Sequence, residues 1–356
     1  MVLNSKTAMF WMILAGLTVL GGCSDYSDQM TSALKTQEPP KKLIEKNEIV
    51  PSKPDASVDR RLKVSGDQAV IEDSVPNVEP VGSFLVPTEY FTIRSRYFPE
   101  AICAVSLPAD YHEKPSTVYP MVIAFGGAGE CSKSPRQGSL AWVSYYKADE
   151  AAKALASSHL SSSDFRGLVT REQLDKFNRL LKKNPYSGVI LVCPYSPLLT
   201  SHNGLEIPEY EKYIMEELIP ALCSHYRVDR SRLGVDGVSM GGARSMYYGF
   251  KYPEIFSRVG SVQAAVGPFM DTYRHLVNSK GNRIKKSSIQ IVSSDLDVFL
   301  KSIEKFSSML ESMGMRHSLL VLKGPHDYIF NQGPGSLALL SFHGSQNPKA
   351  SQGPVR

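Results

Sequence analysis

The sequence predicts an α/β protein with a mostly parallel central sheet of about eight strands flanked by helices. Three observations carry that expectation. Short β-branched or apolar runs alternate with helix-patterned stretches through most of the chain. The later runs are separated by helix-length spacers, as parallel neighbours require. Lastly, Gly237-Val238-Ser239-Met240-Gly241-Gly242 follows the apolar run Leu233-Gly234-Val235 and leads into a helix-forming stretch. That layout suits a sharp strand-to-helix turn, where flanking side chains would collide with the neighbouring strand or helix.

In chain order, strands are expected over 90–94, 102–107, 121–125, 189–193, 232–236, 259–263, 289–292 and 319–322. The first two lie too close together for a crossover helix and should pair antiparallel. Helical spacing of apolar residues marks 149–156, 172–181, 209–223 and 299–313. Thr170-Arg171-Glu172-Gln173 reads as a capping box opening the second helix. Pro220 should bend or interrupt the third.

Length and composition fit one large domain with accessory segments. The chain has 356 residues and is 42% hydrophobic, enough for a sizeable core. Its formal net charge of +5 is spread without a dense Lys/Arg stripe interleaved with aromatics, which argues against a nucleic-acid partner. The eight histidines are scattered, with no H-x-x-x-H and no paired C-x-x-C, so no metal and no cofactor is expected.

The N-terminus carries an address. Lys6 precedes an apolar stretch over 8–20, too short for a comfortable membrane span and the right size for a signal-peptide core. It ends in Leu20-Gly21-Gly22-Cys23, which resembles the lipobox of bacterial lipoproteins. The resemblance implies cleavage after residue 22, a diacylglycerol on the Cys23 sulfur and a place in the cell envelope. Ser24 in place of Asp implies the outer membrane if the cell is Gram-negative. From 23 to 82 the chain is polar and Pro-punctuated without apolar periodicity, so a flexible tether is expected, holding a catalytic domain (83–343) off the membrane. A second polar stretch, 344–356, closes the chain.

Several further runs carry a family resemblance. They are Ser106-Leu107-Pro108-Ala109-Asp110-Tyr111, Tyr119-Pro120-Met121-Val122-Ile123-Ala124-Phe125-Gly126-Gly127, Glu217-Leu218-Ile219-Pro220, Tyr226-Arg227-Val228-Asp229 and Tyr252-Pro253-Glu254-Ile255-Phe256. With the Ser239 turn they resemble the esterase D-like branch of the α/β-hydrolase superfamily, which includes feruloyl esterases, acetyl xylan esterases and mycolyltransferases. The resemblance covers roughly 84–342, is strong around the turn and weak across a helical insertion of about 130–185. It implies the α/β-hydrolase fold and a serine esterase acting on a small-molecule or polysaccharide-linked ester.

A serine hydroxyl needs a base to take its proton and a third group to orient that base. On this fold the order along the chain is nucleophile, acid, base. The base therefore lies beyond Ser239, among His275, His317, His326 and His343. The resemblance implies His326, in Gly324-Pro325-His326-Asp327 just past the last expected strand. For the acid, Ser293-Ser294-Asp295-Leu296-Asp297 offers two carboxylates that should point in opposite directions. The resemblance favours Asp297, directly before the expected helix, over Asp295, and the other should be a helix cap or a solvated charge.

The developing oxyanion needs two N–H donors. Met240, next after the nucleophile, should supply one. The motif match implies Gly127 for the other, where Phe125-Gly126-Gly127 replaces the His-Gly-x of many relatives. Trp142, Tyr145 and Tyr146 follow and could stack on substrate or serve as core packing. Cys103, Cys131, Cys193 and Cys223 allow up to two disulfides in an exported protein, or free buried thiols. Two other functions share these features: acyl transfer to a sugar or lipid hydroxyl, and binding without catalysis.

Overall fold

The computed structural model describes residues 76–198 and 205–345. The signal segment, Cys23, nearly all of the expected tether and nearly all of the closing polar stretch lie outside them.

Among the described residues nine strands form one sheet, in the order β1-β2-β3-β5-β4-β6-β7-β8-β9. They are β1 Asn77–Pro80, β2 Thr88–Thr92, β3 Ile102–Ser106, β4 Tyr119–Phe125, β5 Ile190–Pro194, β6 Val228–Gly237, β7 Arg258–Val262, β8 Ser288–Leu296 and β9 Ser318–Pro325. Strands β1 to β3 are antiparallel, and β3 joins β5 antiparallel. From β5 through β4 to β9 every pairing is parallel. Eight of the nine coincide with the runs expected from sequence. The ninth, β1, corrects the boundary of the expected tether, which does not reach 82. Its residues Asn-Val-Glu-Pro have no apolar alternation because an edge strand has only one neighbour and little to bury.

The main helices are α1 Ala148–Ala156, α2 Arg171–Lys183, α4 Met240–Lys251, α5 Met270–Ile284, α6 Leu300–Ser312 and α7 Ser336–Gly344. Between α2 and α4 in the chain, Pro208–Lys212, Tyr213–Leu218 and Ile219–His225 abut as one helix, α3. Its middle segment is wound in the wider π form immediately before Pro220. The proline has no N–H to donate, and the helix widens around the missing bond rather than breaking. At the start of α2, Thr170 Oγ1 accepts from the Gln173 amide at 3.2 Å while the Gln173 side chain accepts from the Thr170 amide at 3.1 Å. That is the capping box read in the sequence.

Both faces of the sheet are covered, which is why β4 is buried at all seven residues and shows no polar alternation. Met121, Ile123 and Phe125 of β4 enter one core cluster with Met246, Phe250 and Phe306. Val122 and Ala124 enter the other, with Trp142, Phe165 and Leu339. Helix α7 fills the second face and is buried at every residue except Ser341. A helix apolar all round has no amphipathic stripe, so its period is invisible in the sequence. Among the described residues no helix is long and apolar enough to cross a membrane. Cys103, Cys131, Cys193 and Cys223 are all free thiols, and the first three are buried.

Candidate active site

Strand β6 delivers Ser239 at the carboxyl edge of the sheet. The residue has φ +57° and ψ −116°, a conformation that L side chains rarely adopt. The surroundings hold it there. The Ser239 amide donates to the Val262 carbonyl at 2.9 Å, and the Ser239 carbonyl accepts from the Ala265 amide at 3.0 Å. The turn closes only because its flanks are glycine. A Cβ on Gly237 would sit 2.3 Å from the Gly241 carbonyl oxygen, and one on Gly241 would sit 2.5 Å from the carbonyl oxygens of Phe125 and Gly126.

His326 follows β9, and its Nε2 lies 3.2 Å from Ser239 Oγ. Its Nδ1 lies 2.9 Å from Asp297 Oδ1. Asp297 has its carboxylate sealed from solvent, whereas the imidazole is partly open. Two more donors serve the carboxylate: the Phe299 amide at 2.9 Å on Oδ1 and the Ser293 hydroxyl at 2.7 Å on Oδ2. The Ser293 hydroxyl thus donates to the acid four residues further on. The Phe299 ring stands edge-on to the imidazole, with centroids 5.2 Å apart.

Asp295 turns the other way. It accepts from Lys323 Nζ at 2.8 Å and from the Gly324 amide at 3.0 Å. The bond from Lys323 holds its carboxyl below the ordinary range. The remaining histidines also have other surroundings. His317 bonds to Ser307 Oγ and to the Met315 carbonyl, and His275 is exposed on α5. His343 belongs to α7, buried against Asp236.

The loop after β4 departs from expectation at one atom. The Gly127 N–H, matched to the oxyanion, donates instead to the Tyr146 hydroxyl at 3.1 Å. The Met240 amide opens α4 and has no acceptor among the described residues. The aromatic group behind this loop is mostly packing. Trp142 is fully buried with Nε1 donating to the Phe125 carbonyl at 3.3 Å, and Tyr146 is 2% exposed. Only Tyr145 keeps some access to solvent. Burial at these positions follows from the contact with β4, which local sequence does not reveal.

Sequence reasoning missed three further contributors. Gln263, fully buried just past β7, donates through Nε2 to Ser294 Oγ at 2.7 Å and to the Pro325 carbonyl at 2.9 Å, bracing the residue before His326. Glu130 and Tyr328 meet at 2.6 Å beside the β4 loop. Position next to Gly127 and His326 was the only available signal for the last two. Among the described residues no three His, Cys, Asp or Glu side chains come together as a metal site.

A parallel sheet with an antiparallel flank, covered on both faces and carrying a strained serine at its carboxyl edge, is the α/β-hydrolase fold. The chain is similar in structure to a ferulic acid esterase at 17% identity and TM-score 0.51, covering 76% of this chain and 98% of that one. It is also similar to an S-formylglutathione hydrolase from Agrobacterium tumefaciens, at 17% identity and TM-score 0.48 over 78% and 99% of the two chains. Identities this low speak for the fold alone. Residues 199–310 match the family described as Putative esterase, a segment that holds Ser239 and Asp297 but neither Gly127 nor His326. The fold is that of the α/β-hydrolases, and over 199–310 the chain is similar to that esterase family. No curated protein matches the chain by sequence.

Proposed function

We propose that the chain hydrolyses carboxylic esters through an acyl-enzyme on Ser239, outside the cytoplasm and tethered by lipid on Cys23. Ser239 Oγ attacks the ester carbonyl as His326 Nε2 takes its proton. Asp297 accepts the Nδ1–H, fixing the tautomer and stabilising the imidazolium. The carbonyl oxygen becomes an oxyanion held by the Met240 amide and by the loop after β4, where Gly127 serves if its N–H exchanges the Tyr146 hydroxyl for the substrate. Collapse expels the alcohol, which takes the proton from His326. Water then attacks the acyl-enzyme by the same route and releases the acid.

The observation that supports this most is the unbroken hydrogen-bonded run from Ser239 Oγ to His326 at 3.2 Å and on to Asp297 at 2.9 Å. Small-molecule or polysaccharide-linked esters are the proposed substrates. The test is labelling by a fluorophosphonate probe, which the wild type should take up and Ser239→Ala should not. Absence of label in both would instead favour a binding protein on a hydrolase scaffold. A screen of short-chain, feruloyl and acetyl-sugar esters then finds the substrate, and added alcohols show whether acyl transfer competes with hydrolysis. For the anchor, metabolic labelling with a radiolabelled fatty acid should mark the wild type and not Cys23→Ala.

A further inference from the structure

Beside the active-site edge lies a buried carboxylate that the steps above do not use. Glu130 is 3% exposed and sits in the short helix Ala128–Cys131, directly after the loop that bears Gly127. Its two oxygens have different partners. Oε2 accepts from the Tyr146 hydroxyl, and Oε1 accepts from the Tyr328 hydroxyl at 2.6 Å. Tyr328 comes two residues after His326 and opens the turn Tyr328–Phe330. The two phenol rings also pack together, with centroids 6.0 Å apart.

The direction of each proton follows from chemistry. The Gly127 N–H can only donate, so Tyr146 Oη accepts it at 3.1 Å and must send its own proton onward to Glu130. Burial first, and then the Glu130 charge, push the Tyr146 phenol well above its ordinary range, so it stays a donor. Burial pushes Tyr328 up as well. The run Gly127 → Tyr146 → Glu130 ← Tyr328 therefore converges from both sides on one carboxyl group. Its ends are the loop after β4 and the loop of the base.

We propose that Glu130 is a positioning residue that ties the Gly127 loop to the His326 loop: it bonds Tyr328 directly and holds Tyr146, the resting acceptor of the Gly127 amide, and so fixes the distance between that loop and the base. Glu130, on the helix that follows Gly127, bonds directly to Tyr328 on the His326 loop and reaches the Gly127 amide through Tyr146. Both loops belong to one reaction, and a loop displaced by about 1 Å costs a positioned reaction on the order of a hundredfold in rate. Glu130 itself has no bond to Ser239, His326 or Asp297, so it acts through the tyrosines. The proposal rests on the esterase mechanism for its kinetic consequence, but the tie itself does not.

Two measurements separate the two. Hydrogen–deuterium exchange on intact wild type, Glu130→Gln and Tyr328→Phe reads the tie without any substrate. Both 125–131 and 326–330 should exchange faster in Glu130→Gln, while distant strands such as β7 stay protected. On a short-chain nitrophenyl ester, kcat should fall about ten- to a hundredfold in Glu130→Gln, with KM little changed. In Tyr328→Phe the loss should be smaller and should nearly vanish in the Glu130→Gln background, since both changes cut one connection. Unchanged exchange in both loops overturns the tie, even if the wild type is an active esterase. Faster exchange with unchanged kcat overturns the positioning role. An effect confined to KM would make Tyr328 a substrate contact instead. Wild-type protein that takes no fluorophosphonate would defeat the esterase mechanism, and the exchange result would still decide the tie.

Discussion

Asp236 and His343 meet at 3.0 Å with both side chains sealed from solvent, three residues upstream of Ser239 and on the strand that carries it. The pair joins β6 to the last helix. Two glycines make room for it: a Cβ on Gly260 would lie 1.8 Å from Asp236 Oδ2, and one on Gly234 would lie 2.2 Å from His343 Nδ1. Burial pushes the carboxyl up and the imidazole down, so both shifts favour an uncharged pair.

Removing one partner should therefore destabilise the protein without touching the chemistry. Replacing His343 with Ala leaves an unpaired buried carboxyl and a cavity, at a cost of about 2–4 kcal/mol. Urea denaturation should show this loss, while kcat per labelled serine stays near wild type. A fall in kcat with unchanged stability would move the pair into the catalytic machinery.

The two neighbouring carboxylates should separate cleanly in kinetics. Asp297→Asn removes the charge that fixes the His326 tautomer and stabilises its imidazolium, and should lower kcat by about 10³–10⁴. Asp295→Asn should leave kcat close to wild type, because that carboxylate faces Lys323. The Asp295 pKa is depressed in the folded state, so the carboxylate adds stability above about pH 4 and loses it as pH falls through the depressed value. The pair is partly exposed, and the whole contribution should stay under about 1 kcal/mol. Steady-state assays and acid titrations of both variants check this.

Ser293→Ala leaves Asp297 Oδ2 without the hydroxyl at 2.7 Å in a site closed to water. The expected cost is about 1–3 kcal/mol of stability. A looser carboxylate also holds the imidazole less well, so kcat should drop, but by less than in Asp297→Asn. Parallel denaturation and rate measurements on the two variants give that ordering. The reverse order would show that the hydroxyl matters more than the acid it supports.

The four thiols should resist reagents in the native state. Burial pushes Cys131 up to about 11 and Cys193 up to about 12, so neither presents thiolate at neutral pH. Only Cys223 is half-open. Of these four thiols, Ellman's reagent should titrate at most Cys223 before unfolding and all of them after it. Reducing agent should leave the melting temperature of the isolated folded domain unchanged. A reductant-sensitive melting temperature would mean that a disulfide forms in solution.

Much of this was legible from residues alone, because it rests on short-range rules. Eight strands announce themselves as β-branched runs, and Thr170 with Gln173 announces a helix start. Ser239 between glycines announces a turn that only glycine flanks allow. Other features have no local signal. The strand at Asn77 is ordinary polar chain until β2 pairs with it, and α7 lacks a polar face because it is covered on every side. Trp142 and Tyr146 look available for substrate until β4 closes over them.

The choice between Asp295 and Asp297 belongs to the same group. Spacing says that the two carboxylates point apart, which follows from the geometry of an extended chain. Which one meets His326 depends on how β8 and β9 line up, with Leu296 beside Pro325 after a shift in register. The bond from the Gly127 amide to Tyr146 is likewise set by packing between segments remote in the chain. Residue type and spacing determine which chemical groups this protein possesses and the strands and turns that carry them. Their partners are decided only in the folded chain, because a hydrogen bond reaches about 3 Å whatever the separation along the sequence.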